Sequence, residues 1–382
     1  MLKKIYADNG ATSFPKAPGV SDAMKYFLDH VGCNVNRGGY ASSYDVALEI
    51  ATTRQLLCKL FHFDKPQNVI FTSGLTCSIN VILQGFLKAG DHVITSSVEH
   101  NAVMRPLHEL KKKEVSYSVA QCNIDGTLDV DQITKLIIPQ TKAVVLIHAS
   151  NVCGTVLPIY DVAKICKKHN IKLIVDAAQS AGVLNLDMND IDALTFTAHK
   201  GLLGPQGLGG FVLKDDFVPL ISPLITGGTG SKSHELDQPT LMPDKFESGT
   251  MNLPAIIGLK TSLEYILSVG IKTIFQHEMQ LTERFISEVR KIDGVDIVGK
   301  NDLIDRVATV SLNFKNKDNA EVSAILDEEY GIMTRCGLHC APAAHQTLGT
   351  YPSGTVRFSF GYFNTPQEVD EIVRSIKDTL SN

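Results

Sequence analysis

From residue 68 onward the chain alternates short apolar runs with longer stretches of mixed polarity. The runs are NVIFTS, HVITSS, VSYSVA, AVVLIHAS, KLIVDAA, ALTFTAH and GLGGFVL. They are β-rich and apolar on both faces, which suits strands of a sheet covered by helices on either side. Segments 76–88, 101–113 and 157–169 between them have helical spacing and charge. Strand–helix alternation of this length predicts βαβ units and a mainly parallel sheet. The rhythm fades near 215. There LITGGTGSKSHELDQPTLMPDKFESGTMN, rich in Gly, Pro and Ser, predicts a long loop region. Beyond it the pattern predicts a long helix over 255–292, a strand in VATVSLNF (307–314), a helix over 319–330 and a last helix over 366–380. That is the pattern of a smaller α+β domain. No internal repeat or low-complexity tract interrupts it.

Composition narrows the function classes. A chain of 382 residues suggests two domains. A formal charge of −5 offers no basic footprint for nucleic acid or for an anionic membrane. The start, MLKKIYADNGATS, lacks the apolar region of a signal peptide, and runs such as AVVLI are far too short to span a bilayer. The expected location is cytoplasmic, where the eight scattered cysteines would be free thiols. Neither glycine cluster reads as a nucleotide loop. GGTGSKS (227–233) breaks the phosphate-loop spacing, and GPQGLGG (204–210) precedes a strand instead of opening a helix.

In an open parallel sheet, ligands bind beyond the carboxyl ends of the strands. Those ends carry Gly74-Leu75-Thr76, Glu99-His100-Asn101, Asn151, Asp176 with Gln179, and His199-Lys200-Gly201. Asp176 and Gln179 also fit a helix-capping arrangement, and His100 a hydrogen-bonded core residue. Lys200 resists such a reading. A desolvated lysine at a strand end has a lowered pKa and becomes a nucleophile toward carbonyls. Together these residues have the parts of a pyridoxal phosphate site. Lys200 would bind the cofactor as a Schiff base, and Asp176 would pair with the pyridinium nitrogen. Backbone N–H groups at the helix start by Thr76 would receive the phosphate.

The stretch RCGLHCAPAAH (335–345) holds two cysteines and two histidines within ten positions. Cys336, Cys340 and His345, with His339, read as crowded metal ligands lacking a matching second pair. The two cysteines also read as a redox pair, Cys340 as a small buried apolar residue, or Cys340 as one reactive thiol on a mobile loop. Spacing alone leaves these open.

YADNGATSFPK, FTSGLTCSIN, SSVEHNAV, HASNVCGT, VDAAQSAG, TAHKGLLGPQGLG, FESGTMN, RCGLHCA and GTVRFSFGYFNT run nearly end to end. With them the chain resembles the class V, fold-type I pyridoxal phosphate enzymes, specifically the cysteine desulfurase and selenocysteine lyase family. The resemblance implies a fold-type I α/β architecture with a seven-stranded, mainly parallel sheet. It implies a large cofactor-binding domain over 15–250 and a small α+β domain from 1–14 and 251–382. It also implies a homodimer acting on L-cysteine or L-selenocysteine, and a sulfur-acceptor protein or thiol.

Roles follow from the resemblance residue by residue. Lys200 carries the cofactor, His100 stacks on its ring, Asp176 binds the ring nitrogen and Gln179 the phenolate oxygen. Gly74, Leu75, Thr76, Thr197 and His199 lie at the phosphate, which Thr250 reaches from the second subunit. Asn151 and Arg357 hold the substrate carboxylate, with Arg335, Asn36 and Ala11 also at the substrate. A guanidinium suits that task because it pairs bidentately with a carboxylate. Cys340 is the nucleophile that takes sulfur as a persulfide, with Arg335 and His339 as nearby sources of positive charge. The short RxGxHCA form is similar to the second, compact-loop group of desulfurases. Leu75, Asn36, Met251 and Cys336 depart from the usual pattern. Cys336 would tune, protect or share the persulfide. Another class V aminotransferase or β-lyase, and a sulfur-carrier or zinc-binding interaction protein, are the rival readings.

Overall fold

The structure is a computed structural model that describes residues 4–35 and 39–381. After β1 (Ile5–Tyr6), the seven apolar runs become β2 (Val69–Thr72), β3 (His92–Ser96), β4 (Ser116–Ala120), β5 (Thr141–Ile147), β6 (Lys172–Asp176), β7 (Ala193–Thr197) and β8 (Gly209–Leu213). They form one sheet in the order β2-β8-β7-β6-β5-β3-β4. The sheet is parallel except at β8, which runs antiparallel to β7 and β2. Helices α1 (Val20–Tyr26) and α2 (Ala41–Leu60) precede the sheet, and α3 (Leu75–Phe86), α4 (Asn101–Lys111), α5 (Val130–Leu136) and α6 (Ile159–His169) link its strands.

The doubly apolar runs explain the layering. Successive side chains of a strand face opposite sides. Val93, Ala143, Val145 and Ile174 therefore join the core under α3 and α4, with Ile79, Ile82 and Leu107. Ile94, Val144, Leu146 and Val175 join the core on the other face, with Leu57, Val162 and Leu259. Burying each large aliphatic chain contributes about 1.5–3 kcal/mol.

The expected single helix over 255–292 is two helices, α7 (Leu253–Val269) and α8 (Ile271–Val289), bent by 80°. Gly270 sits between them at φ +89°, a backbone setting that glycine tolerates and side chains resist. Apolar periodicity runs through the break because the two helices serve different cores. Leu259 and Leu263 pack in the large core, whereas Leu281, Phe285 and Val289 pack in a smaller one. That second core lies on an antiparallel sheet of order β12-β13-β10-β9, comprising β9 (Val295–Val298), β10 (Thr309–Phe314), β12 (Arg335–Gly337) and β13 (Thr355–Ser359). β11 (Ile332–Met333) pairs in parallel with β1. Helices α9 (Asn319–Glu328), α10 (Pro342–Thr347) and α11 (Pro366–Ser381) complete the chain. Among the described residues, no single helix is long and apolar enough to cross a membrane.

The loop region after 215 is held down by a buried ion pair. Arg54 Nη2 lies 2.7 Å from Glu247 Oε2, and Glu247 also accepts the N–H of Phe71 at 2.7 Å. This fixes the loop to the edge strand β2.

Candidate active site

The carboxyl ends of β2, β3, β5, β6 and β7 converge on one cavity of about 340 Å³. β2 ends at Thr72 and turns through Ser73-Gly74 into α3. Gly74 has φ +155° and ψ +170°, a region essentially reserved for glycine. A Cβ on Gly209 of β8 would lie 2.7 Å from the Gly74 Cα, so the turn requires glycine at both positions. It presents the first turn of α3 to the cavity. The N–H groups there have no partner within the helix, and the helix dipole favours an anion beside them. Leu75, Thr76 and Cys77 line the wall at this point. Leu75 is itself buried in the core beneath α3, so only its backbone serves the cavity.

Asp176 and Lys200 lie across the same cavity. Desolvation pushes the Lys200 ammonium down to about 8, and Arg357 and Arg335 push the same way while Asp176 and Asp8 oppose. Burial raises the Asp176 carboxyl, and the N–H of Ala178 at 2.9 Å and Lys200 draw it back. A second acid lies directly behind. Glu99 takes the Ile147 N–H at 2.9 Å and the Ser96 hydroxyl at 2.5 Å. Desolvation raises it to about 8, and Asp176 adds to that. Glu99 therefore stays protonated at neutral pH.

His100 caps α4, its Nδ1 accepting the Ala102 N–H at 3.0 Å. That bond leaves the proton on Nε2. Burial, with Lys200, Arg335, Arg357 and Arg105 around it, pushes His100 down to about 4, so the ring is neutral. Asn151, Gln179, Thr197, His199 and Ala11 complete the set of expected residues on the cavity wall. Gln179 Nε2 donates to Gly10 O at 3.0 Å. The carbonyl of His199 accepts from Ser13 N, Thr12 Oγ1, Ser13 Oγ and Lys16 Nζ at 2.7–3.2 Å. Segment 12–16 thus clamps the backbone next to Lys200.

Arg357 lies one layer below. It is fully buried on β13, with Nη1 on Asn151 O at 3.0 Å and Nη2 on Asp8 at 2.6 Å. It reaches the cavity through Asn151, and its Nε has no partner among the described residues. Arg335 pairs with Arg357 across β12 and β13, so both guanidinium groups arise from one face of the sheet.

Cys340 follows on the turn after β12. Its side chain is exposed, and Arg335 Nη2 lies 3.3 Å from its Sγ. It opens on a vestibule of about 300 Å³ that shares Thr76, His100 and Ala102 with the main cavity. The turn is pinned, contrary to the mobile loop expected. Asn101 N donates to Cys340 O, Asn151 Nδ2 to His339 O, and Ala341 N to Leu338 O, each at 2.8 Å. His339 is not a source of charge for the thiol. It is buried against Thr355 Oγ1 at 2.9 Å, and burial and Arg357 push it down to about 2. Among the described residues, no three or more His, Cys, Asp and Glu side chains converge to hold a metal.

The matching family model, Aminotransferase class-V, covers residues 5–372. The chain belongs to the class-V aminotransferase family. It is similar to a probable cysteine desulfurase of Methanothermobacter thermautotrophicus, at 30% identity over 98% of this chain and 94% of that one. A probable cysteine desulfurase of Staphylococcus epidermidis is 32% identical over 98% and 91%. Among solved structures, the apo cysteine desulfurase of Thermococcus onnurineus superposes with a TM-score of 0.93 at 30% identity, covering 99% and 95%. A cysteine desulfurase of Escherichia coli in an S-sulfonic acid form gives 0.89 at 27% identity, covering 98% and 94%. The expected fold-type I architecture and the cysteine desulfurase family are thus found.

Of the expected site residues that the structure describes, Arg335, Arg357, Cys340 and Thr250 are not on the wall of the main cavity of this class-V enzyme. Thr250 lines a neighbouring cavity of about 400 Å³ that shares Ser73, Cys77 and Gly207 with the first. Asn36 lies outside the described residues. Cys336 is separated from the thiol chemistry. On β12 it pairs with Val356 and packs with it in the small core, on the sheet face opposite Arg335. Asp8 carried no sequence signal, because its partner Arg357 is remote in the chain. Glu99 had one, as the neighbour of His100 in VEHN.

Proposed function

We propose that the enzyme is a pyridoxal phosphate-dependent cysteine desulfurase that converts L-cysteine to L-alanine and leaves a persulfide on Cys340. L-selenocysteine is the alternative substrate. The observation that carries this reading is the thiol of Cys340 at 3.3 Å from Arg335, on a vestibule opening into the cavity that holds Lys200 and Asp176. An enzyme that only moves an amine has no use for that thiol.

The residues present fit pyridoxal phosphate. The cavity offers a lysine lowered to about 8, a buried carboxylate, the open first turn of α3, and His199, whose buried Nδ1 lacks a partner. Lys200 would hold the aldehyde carbon, Asp176 the ring nitrogen, Gln179 the phenolate oxygen, and Thr76, Thr197 and His199 the phosphate. When bound, the group supplies an electron sink for the pair released at the substrate Cα.

The chain's own side chains do the rest. Asn151 on the cavity wall, with the Arg357 charge behind it, would hold the substrate carboxylate and aim the Cα–H at Lys200 Nζ, which removes the proton as a neutral amine. Neutral His100 keeps an N–H available for proton transfer at the substrate. Cys340, with Arg335 Nη2 at 3.3 Å from its Sγ, attacks the substrate sulfur. Selenium leaves carbon more readily, so selenide release depends less on Cys340. Exposed Leu224 and Ile225, which line the same cavity as Thr250, support a homodimer in which Thr250 serves the second subunit.

The test supplies L-cysteine or L-selenocysteine with a reductant and measures alanine and sulfide or selenide. Wild type should yield alanine with sulfide, and Cys340→Ala should lose sulfide release while keeping much of the selenide release. Wild type that yields no alanine from either substrate would sink the proposal. Sulfide release left intact in Cys340→Ala would remove Cys340 as the nucleophile.

A further inference from the structure

The vestibule beside Cys340 has a chemistry that the first half of this reaction does not use. Its walls include Asn80 and Gln84 on α3 and Arg105 on α4, and its volume of about 300 Å³ is that of a small-ligand site. The turn that bears Cys340 is held by hydrogen bonds at three carbonyls, which fixes its backbone beside the vestibule. An acceptor must come to it.

Charge then selects the acceptor. Lys200, Arg335, Arg357 and Arg105 all act on His100 as positive neighbours. Two of these have a partner within hydrogen-bond distance, Arg357 with Asp8 and Arg335 with the Cys340 sulfur, and Lys200 lies in the main cavity with Asp176, outside the vestibule. Among the described residues Arg105 has no ion-pair or hydrogen-bond partner. Glu109, four residues on and also on the vestibule wall, is engaged through both oxygens by Lys112 at 2.8 Å. We infer that the vestibule is a subsite for a small thiol bearing a carboxylate, with Arg105 docking the carboxylate and the thiol meeting the persulfide of Cys340. This rests on the desulfurase reading above and adds the class of its second substrate.

The transfer balances without an outside oxidant. The acceptor thiolate attacks the outer sulfur of the Cys340 persulfide and forms a new S–S bond. The bond between the two sulfurs of the enzyme persulfide breaks, and its electron pair returns to Cys340 as thiolate. Arg335, at 3.3 Å from that sulfur, is a hydrogen-bond donor to the leaving thiolate. The acceptor leaves as a persulfide.

The test isolates this second half-reaction. Holoenzyme is given one equivalent of L-cysteine, released alanine is counted, and the Cys340 persulfide is followed by intact-protein mass spectrometry. Persulfide loss is then timed with 3-mercaptopropionate, 2-mercaptoethanol and cysteamine, which are anionic, neutral and cationic. Comparing each thiol between enzymes cancels its intrinsic reactivity. For an exposed charge pair, the ratio of anionic to neutral rates should fall about three- to fivefold in Arg105→Gln at low salt. It should fall further in Arg105→Glu, with cysteamine gaining. Ratios identical in all three enzymes would overturn the inference and leave the vestibule to a cysteine-bearing loop of an acceptor protein. Wild type that releases no alanine from its one equivalent would sink the desulfurase reading, and the subsite with it.

Discussion

Glu278 on α8 offers a quantitative check on the electrostatics around the site. It is 6% exposed and faces a cavity of about 40 Å³ that also touches Gln179, Lys200 and Gly201. Among the described residues its carboxyl has no hydrogen-bond or charge partner, and burial alone raises it from 4.5 to about 8. Between those values the unfolded chain has lost its proton while the folded one keeps it. The unfolded state binds fewer protons there, so stability falls as pH rises through that window and levels off above it. At about 1.4 kcal/mol per pH unit the interval amounts to about 5 kcal/mol. The cavity has room for two or three waters, which brings the expected figure to about 3–5 kcal/mol. Glu278→Gln keeps the shape and removes the titration. Urea unfolding of both proteins from pH 5 to pH 8.5 should show the variant gaining that amount relative to wild type as pH rises. Glu99 titrates in both and cancels from the difference. A difference that is constant with pH would mean that Glu278 ionises freely in the folded protein, and the burial argument would be wrong.

Two further outcomes follow from the same physics. With Lys200 near 8, its neutral fraction rises about tenfold from pH 7 to pH 9 and then saturates. Rebinding of pyridoxal phosphate to apoenzyme, followed by absorbance, should show that rise and plateau, whereas a hundredfold climb with no plateau by pH 9 would place the lysine at its ordinary value. Asp8→Asn leaves the buried Arg357 guanidinium an acceptor but no counter-charge, and should cost about 2–3 kcal/mol in urea unfolding. An unchanged midpoint and slope would show that Asn151 O and solvent suffice for Arg357.

Local signals carried most of the architecture. Seven apolar runs mark seven strands because a covered sheet needs apolar residues at consecutive positions, and each strand can be read without its partners. The ends of those runs likewise display Thr76, His100, Asn151, Asp176 and Lys200, since strand ends in such a sheet face a common crevice. Direction and break points are less local. β8 runs against its neighbours because a hairpin-like connection returns it from β7, and an apolar run has no polarity. The 80° bend at Gly270 is invisible to periodicity because both helices stay amphipathic through it.

RCGLHCAPAAH shows the division most clearly. Residue types and flanking motifs were enough to single out Cys340 as a thiol and Lys200 as its counterpart across the site. What Cys340 can do was decided elsewhere in the chain. Pairing of Arg335 with Arg357 and of Cys336 with Val356 turns one side chain toward the site and the other into the small core. Burial leaves His339 neutral, and Asp8 meets Arg357 across 349 positions of sequence. Those outcomes depend on register, burial and distance between remote segments, which come into existence only when the chain has folded.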